Sequence, residues 1–326
     1  MCHSNGPRAT VWILTIFSLF WLSAAIAPAA ETFTLYWEND SRFHKPNGKT
    51  DRHYTNGLRF VYVTDEADWK WLKDFGEWDL GDGGADHTSA GFFLGHEMYT
   101  PDHAGNPELR SEEDMQFAGW AYGGLFAERY AGDILDHAEI NIGFIGPSAK
   151  AASIQSCVHG LTRGSEPVGW ETQLKDEPAL DLSWFRKHRV NKGWLRARED
   201  LDFIVEYGAT LGSVHRQAQL GVMGRYGILP GDFGPGRMRL PAGTYGKGKP
   251  LARALYFFAR GAIRAVEYNR FLSGLDRRPL VGEAQYGMVY RFRSFEFGYS
   301  QTFFTQEFEE QTGNDSIGAF TVAWSF

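Results

Sequence analysis

The chain has 326 residues, with 33 Lys and Arg against 40 Asp and Glu, so that its formal net charge at pH 7 is −7. This acidic balance argues against a nucleic acid, which is itself a polyanion, as partner. Beyond the N-terminal region no segment approaches 18 consecutive apolar residues, and we therefore expect no membrane-spanning helix in the rest of the chain.

The N-terminus has the pattern of a secretory signal peptide. Arg8 precedes an apolar run over residues 11–26, and a small-residue cleavage pattern of the A-x-A type follows at residues 27–29. The apolar run is short for a membrane anchor, which needs about 20 residues. We predict a cleaved signal over residues 1–30 and a single domain over residues 31–326.

Along this domain, apolar and polar residues alternate with period two, which is typical of strands with one apolar face. The alternation predicts strands near residues 31–39, 56–64, 89–99, 116–128, 133–145, 178–188, 201–212, 216–228, 252–267, 279–292, 294–307 and 315–326. Their number is twelve, and single-chain bacterial outer-membrane barrels have an even number of strands. The predicted fold class is all-β, a transmembrane antiparallel β-barrel. An aromatic content of 15% fits aromatic girdles at the two membrane interfaces.

The last predicted strand carries the clearest pattern. Gly318, Phe320, Val322, Trp324 and Phe326 alternate there with small or polar residues. The segment resembles the terminal strand of bacterial outer-membrane barrels, whose final aromatic residue is part of their assembly signal. A soluble β-sandwich could also end on such a strand, but it would rarely stop on the last aromatic residue.

A helix is predicted between the fifth and sixth strands. Pro147 and Ser148 are helix starters, and apolar residues recur at spacings of four and three at Ile154, Val158 and Leu161. If both chain ends lie on the periplasmic side, this helix is extracellular. Its apolar face would then lie on the barrel or in the outer lipid layer.

The same topology predicts which joins between strands are long. The joins between strands 1 and 2, 3 and 4, and 5 and 6 would be extracellular. Residues 65–88 and 229–250 would join strands on the periplasmic side, where the turns of outer-membrane barrels are usually short. These two joins do not fit the simple barrel pattern.

Polar residues at the facing ends of strands 1 and 2 and on the helix form a candidate site. Asn39, Asp40 and Thr55 fall on the same rim as His159. Asx residues are ordinary turn residues, and a histidine on a helix is often structural. Together, however, a carboxylate, an amide, a hydroxyl and an imidazole are the ingredients of ester hydrolysis.

Several nucleophiles compete for that chemistry. The chain has no G-x-S-x-G motif, which argues against an α/β-hydrolase serine. Cys157 is two positions from His159, and such pairs on a helix point in different directions. Ser153, Ser156 and Ser165 remain possible. The simplest arrangement has His159 acting as a base on water.

A divalent metal is a further expectation. Asp40 and Glu166 could both reach such a site, and hard cations such as Ca²⁺ favour oxygen ligands. The acidic stretch over residues 79–86 does not match the spacing of a calcium loop, and we interpret it as a turn.

The motifs taken together resemble one family, the outer-membrane lipid A 3-O-deacylases. The resemblance rests on WENDSRF, DRHYTNGLRF, LGHEMYTPDH, FAGWAYGGL, INIGFIGPSA, QSCVHGLTRGSEPVGWETQLKDEPALDLSW and YNRFL, which occur in this order through most of the domain. It implies a twelve-stranded barrel and a Ca²⁺-dependent esterase that removes the 3′-linked acyloxyacyl group of lipid A, or lipopolysaccharide, in the outer leaflet of the outer membrane.

The resemblance also implies roles for individual residues. His159 matches the catalytic histidine, Asn39 and Asp40 match the Asn-Asp pair after strand 1, and Thr55 matches the hydroxyl residue opening strand 2. Other members often have Arg-Pro-Tyr-Ala-Gly where this chain has residues 115–119, MQFAG, so this chain departs from the family pattern in that loop.

Two basic residues are candidate substrate contacts. Lys175 and Arg163 could bind lipid A phosphates, because guanidinium and ammonium groups suit phosphate oxygens, although both could equally be solvated loop charges.

We expect the protein to be a monomer. Two alternatives remain, namely a phospholipase-like barrel that hydrolyses glycerophospholipid esters and a non-enzymatic porin or structural barrel.

Overall fold

The structure is a computed structural model, and it describes residues 31–40, 51–64, 70–77, 84–162, 167–190, 198–238 and 253–326. The predicted signal peptide, Arg163 and Glu166 lie outside these residues. Neither α-helix in the described part of the chain is long and apolar enough to cross a membrane.

Twelve antiparallel strands form a closed barrel, in which each strand pairs with its neighbours in sequence and β1 pairs with β12. The strands are β1 (Glu31–Asn39), β2 (His53–Thr64), β3 (His87–Thr100), β4 (Ala118–Ala131), β5 (Ile134–Ile145), β6 (Glu177–Arg189), β7 (Leu201–Gly212), β8 (His215–Ile228), β9 (Arg253–Asn269), β10 (Leu280–Phe292), β11 (Phe295–Phe304) and β12 (Asp315–Ser325). The prediction of an all-β antiparallel barrel with twelve strands is confirmed.

The strands alternate between an apolar outer face and a largely polar inner face. In β1, Thr34 and Glu38 are buried inside, whereas Phe33 and Trp37 are exposed on the outside. Trp37 stacks across the closing seam on Phe320, with ring centroids 6.0 Å apart. The closed sheet leaves no unpaired strand edge, and its outer surface is apolar, as a spanning barrel requires.

The long join after β8 folds back into the barrel. Its residues 229–238, which we call the inner segment, are the described part of this join. Phe233 of the inner segment is buried against six apolar side chains that line the barrel wall, namely Leu135, Ile204, Met223, Tyr256, Phe258 and Val289. Asp232 pairs with Arg225 at 2.9 Å and with Arg291 at 2.7 Å. The described part of this join therefore lies inside the barrel.

The other long join contains the helix α1 (Lys70–Glu77), which the sequence patterns did not predict. Phe75 packs against Ala90 and Ala127 on the inner faces of β3 and β4. The carbonyl oxygen of Gly76 accepts a hydrogen bond from Arg129 Nε at 3.4 Å. The helix therefore packs against the barrel wall at the end where β2 and β3 are joined.

The predicted helix between β5 and β6 is α2 (Ala151–Thr162). Pro147 does not begin it, because residues 147–149 form a separate 3₁₀ turn and Lys150 has a left-handed backbone with φ of 62°. The side of α2 that faces the barrel is small. Gly119 on β4 has no room for a Cβ, which would lie 2.6 Å from the Ala151 side chain. The apolar residues Ile154 and Val158 are instead exposed on the outer side of the helix.

Candidate active site

The candidate site lies at the end of the barrel where β1 and β2 are joined. The pairing of β2 with β3 shifts register between Tyr54 and Asn56, which makes Thr55 a bulged residue. Its carbonyl oxygen accepts hydrogen bonds from the Asp40 backbone N at 3.2 Å and from Asn39 Nδ2 at 3.1 Å. Bulges often aim a side chain or end strand pairing beside an active site. Here the bulge brings Asn39, Asp40 and Thr55 together.

The Thr55 hydroxyl is directed into the barrel wall. Thr55 is 2% exposed, and its Oγ1 lies 2.7 Å from Thr100 Oγ1 on β3. The hydroxyl thus has a hydrogen-bond partner of its own, and the backbone carbonyl is the part of Thr55 that contacts the Asn-Asp pair.

The Asp40 carboxylate has one satisfied and one unsatisfied oxygen. Oδ2 accepts a hydrogen bond from the Arg52 backbone N at 2.8 Å, whereas Oδ1 is buried without a hydrogen-bond partner among the described residues. Burial raises the pKa of the Asp40 carboxyl well above its usual range; the hydrogen bond from Arg52 opposes this shift, and the nearby carboxylates of Asp51 and Asp315 add to it. A buried carboxylate oxygen in such surroundings favours either a proton or a cation.

His159 meets the site through Asp51. His159 Nε2 lies 3.5 Å from Asp51 Oδ2. Gln155, four positions earlier and therefore on the same face of α2, donates from Nε2 to Asp51 Oδ1 at 3.1 Å. Trp170 Nε1 donates in turn to Gln155 Oε1 at 2.8 Å and so fixes which end of the amide faces Asp51. A carboxylate beside an imidazole can orient the ring and stabilise its protonated form.

The two halves of the site meet at residues 51 and 52. Asp51 contacts the helix residues, and the backbone N of Arg52 binds Asp40. The structure thus connects Asn39, Asp40 and Thr55 with His159 through a short continuous stretch of chain.

Lys175 is not among these contacts. It is exposed in the segment between the 3₁₀ turn Trp170–Thr172 and β6. Its predicted contact with a phosphate, and those of Arg163 and Glu166 with their ligands, remain predictions.

Sequence reasoning missed Asp51 and Gln155. Gln155 carries a signal in the sequence, since its spacing of four from His159 places both on one face of a helix. Asp51 carries none, because its contact with the helix joins residues about a hundred positions apart and depends on a left-handed backbone with φ of 57°.

The donor atoms present suit a hard cation. Among the described residues, no group of three or more His, Cys, Asp or Glu side chains is placed to hold a metal ion. Asp40 nevertheless offers a buried carboxylate oxygen to which no described residue donates a hydrogen bond, and carboxylate oxygen is the ligand type that Ca²⁺ prefers. The Asp40 carboxylate therefore fits as one oxygen ligand of a hard cation.

Comparison with known proteins connects this site to a family. The model of the family described as "Outer membrane protein LpxR" matches residues 11–326. The structure is similar to that of LpxR from Salmonella typhimurium, with a TM-score of 0.74 and 19% sequence identity, covering 90% of this chain and 100% of that one. At this identity the likeness establishes the barrel fold, and the family model establishes the family.

Two further solved barrels have lower TM-scores. The β domain of the Bordetella autotransporter BrkA has a TM-score of 0.45 and 10% identity, covering 92% of this chain and 99% of that one. The translocator domain of NalP from Neisseria meningitidis has a TM-score of 0.36 and 11% identity, covering 98% and 96% of the two chains. No curated protein matches the chain in sequence. The match of the family model to residues 11–326 shows that the chain belongs to the LpxR family of outer membrane proteins, which is the lipid A deacylase family that its motifs resemble.

Proposed function

We propose that the protein hydrolyses the 3′-linked acyloxyacyl ester of lipid A in the outer leaflet of the outer membrane, with His159 activating a water molecule. The observation that carries this proposal is the placement of His159 3.5 Å from Asp51, on a stretch of chain whose next residue binds the buried Asp40 carboxylate. A base, an orienting carboxylate and an oxygen ligand for a cation are what ester hydrolysis by water requires.

The proton transfers follow from the contacts of His159. Asp51 faces Nε2, which favours the tautomer with a proton on Nε2 and a lone pair on Nδ1. Nδ1 takes a proton from water, and the hydroxide attacks the ester carbonyl carbon. When the bond between that carbon and the sugar oxygen breaks, the imidazolium returns the proton to the leaving oxygen. The Asp51 carboxylate stabilises the imidazolium between these two steps.

Asp40 and Glu166 would hold Ca²⁺ beside the reacting ester. When bound, the ion would supply positive charge for the oxyanion, a contribution of several kcal/mol in metal-dependent hydrolases. Asn39 and Thr55 would complete the oxyanion pocket or orient the ligands of the ion; both hydrogen bonds to the Thr55 carbonyl position the residue pair that carries the carboxylate.

The surroundings of the site suit a lipid substrate. Ile154 is 40% exposed and Val158 is 48% exposed on the outer side of α2, the helix that carries His159. Apolar side chains beside a polar site favour contact with acyl chains at a membrane interface. Lys175 and Arg163 are the candidate contacts for the lipid A phosphates.

A porin is disfavoured by the contents of the barrel. The inner segment places Phe233, 1% exposed, inside the wall, and Arg237 of the same segment pairs with Glu283 at 2.6 Å. Side chains and a folded-back segment therefore occupy the space that an aqueous channel would need.

The proposal is tested with the detergent-refolded full chain and two lipids. Lipid A and a glycerophospholipid are incubated separately, with Ca²⁺ or with a chelator, and the products are identified by mass spectrometry. We expect loss of the 3′-linked acyloxyacyl group from lipid A with Ca²⁺ and none with the chelator. Release only from the glycerophospholipid would support the phospholipase-like alternative instead, and no release from either lipid would refute the proposed activity.

A further inference from the structure

A second cluster of charged residues lies beside the site, and the mechanism does not use it. Its centre is His53, which is 2% exposed. His53 Nδ1 lies 2.7 Å from Asp315 Oδ2, and His53 Nε2 lies 3.1 Å from Asp114 Oδ1. A ring that faces a carboxylate at each nitrogen is satisfied fully only when both nitrogens donate. The histidine thus joins two carboxylates with two charge-assisted hydrogen bonds.

The two carboxylates come from distant parts of the chain and are themselves held. Asp114 lies in the join between β3 and β4, where it accepts hydrogen bonds from the backbone N of Asp102 at 2.8 Å and of Met115 at 2.6 Å. Asp315 is the first residue of β12 and accepts from Gln311 Nε2 at 3.1 Å. His53 is therefore anchored between the β3–β4 join and the start of β12.

The backbone that His53 anchors is strained. Asp51 has φ of 57° and His53 has φ of 56°, a region that residues other than glycine rarely adopt. Such conformations persist only when surrounding contacts hold them, and they cluster at functional sites. Between the two, the Arg52 side chain is also held, because it lies 3.5 Å from both Asp102 and Asp315.

This strained stretch makes the two contacts on which the proposed mechanism depends. Asp51 lies against His159 at 3.5 Å, and the backbone N of Arg52 donates to Asp40 at 2.8 Å. If residues 51–53 relaxed to the more common extended backbone, neither contact would keep its geometry.

We infer that His53, hydrogen-bonded to both Asp114 and Asp315, is a positioning residue for the proposed hydrolysis. It fixes residues 51–53 in the strained conformation that directs Asp51 to His159 and the Arg52 N–H to Asp40. The inference rests on the proposed function, because it concerns the same reaction. His53 acts through Asp51 and Arg52 and does not touch the reacting ester.

The test is a double-mutant cycle between the positioning residue and the residue it positions. The variants are His53→Gln, Asp51→Asn and the double variant, all made in the full chain. A glutamine offers one donor group and cannot bridge both carboxylates. His188, an exposed residue in β6, provides the matched control as His188→Gln. Acyl release from lipid A gives kcat and KM for each protein, and the gel mobility of the unheated sample reports whether the barrel is folded.

We expect His53→Gln to lower kcat about 10²-fold, the scale for misplacing a catalytic group by about 1 Å, with KM changed less than about threefold. In the Asp51→Asn background the same change should cost less, because only its effect on the contact between the Arg52 N–H and Asp40 remains. Asp114→Asn and Asp315→Asn should each lower kcat in the same direction.

Two outcomes overturn the inference. One is wild-type kcat in His53→Gln, and the other is a full additional loss in the double variant, which would show that His53 acts independently of Asp51. If His53→Gln does not fold, the same two criteria apply to Asp114→Asn. An inactive wild-type protein would instead refute the proposed function, so that the two failures are distinguishable.

Discussion

Replacement of Asp51 by asparagine isolates the charge that faces His159. The variant keeps the shape of the side chain and an oxygen to accept the hydrogen bond from Gln155. Only the negative charge 3.5 Å from His159 Nε2 is removed. Since the proposed reaction develops a positive charge on the imidazole, the loss falls on the transition state and lowers kcat.

The distance sets the size of the effect. Two unit charges 3.5 Å apart interact by about 1 kcal/mol in bulk water and about 5 kcal/mol at an effective dielectric constant of 20. The Asp51 side chain is 26% exposed, so that the true value lies between these limits. At about 1.4 kcal/mol for each factor of ten, kcat should fall between about fivefold and about 4,000-fold, with KM nearly unchanged.

The assay is the rate of acyl release from lipid A in detergent with saturating Ca²⁺. Glu112→Gln removes a charge from an exposed position in the join between β3 and β4 and serves as the matched control, with no change in kcat expected. A kcat of Asp51→Asn equal to that of the control would show that Asp51 does not assist His159.

Three further predictions concern Asp40, Thr55 and Arg225. Asp40→Asn keeps an oxygen for the Arg52 N–H but loses the charge that would attract Ca²⁺. The Ca²⁺ concentration for half-maximal activity should therefore rise at least about tenfold. An unchanged Ca²⁺ titration would exclude Asp40 as a ligand. Thr55→Val leaves the Thr100 hydroxyl without its Thr55 partner and should lower the free energy of unfolding by about 1–3 kcal/mol, whereas Thr55→Ser should keep it. Equal stabilities of the two variants would contradict this. Arg225→Met removes one cation from Asp202 and Asp232 inside the barrel, while Arg189 still faces Asp202 and Arg291 still faces Asp232. It should destabilise the protein by about 1–3 kcal/mol, measured in urea against the exposed control Arg198→Met. A midpoint equal to that of the control would show that Arg225 adds no stability.

The strands were predictable because each must face lipid on one side and a polar interior on the other. This requirement imposes a period of two over nine residues or more, as in β1 and β7, whose predicted and observed bounds agree. The period is local, and one sequence carries it without any knowledge of partner strands.

The contents of the barrel were not predictable in the same way. The inner segment has no strand or helix pattern, and what holds it is a set of distant partners such as Arg291, which pairs with Asp232 from 59 positions away. The sequence revealed only that the joins at residues 65–88 and 229–250 were too long for turns. The helix α1 spans eight residues, too few for a clear helical period.

The candidate site likewise has residues that local sequence patterns revealed and residues whose positions depend on distant contacts. His159 and the Asn-Asp pair stood out by motif, and the helix that carries His159 stood out by apolar spacing. The arrangement of Asp51 and His53 depends on two left-handed residues and on carboxylates from β12 and the β3–β4 join. These contacts link residues up to 262 positions apart, and no local pattern encodes them.

Acyl release in ¹⁸O-labelled water tests the role of His159 most directly. The wild-type full chain and the His159→Asn variant are each incubated with lipid A and Ca²⁺, and the mass of the released fatty acid is measured by mass spectrometry. Water attack on the acyl carbonyl places one ¹⁸O in the carboxyl group of the released acid, and loss of a general base lowers the rate by about 10²–10⁴-fold. We predict labelled acid from the wild type and a loss of that size in His159→Asn. Release at the wild-type rate from folded His159→Asn, or unlabelled acid from the wild type, would contradict hydrolysis by a water molecule that His159 activates.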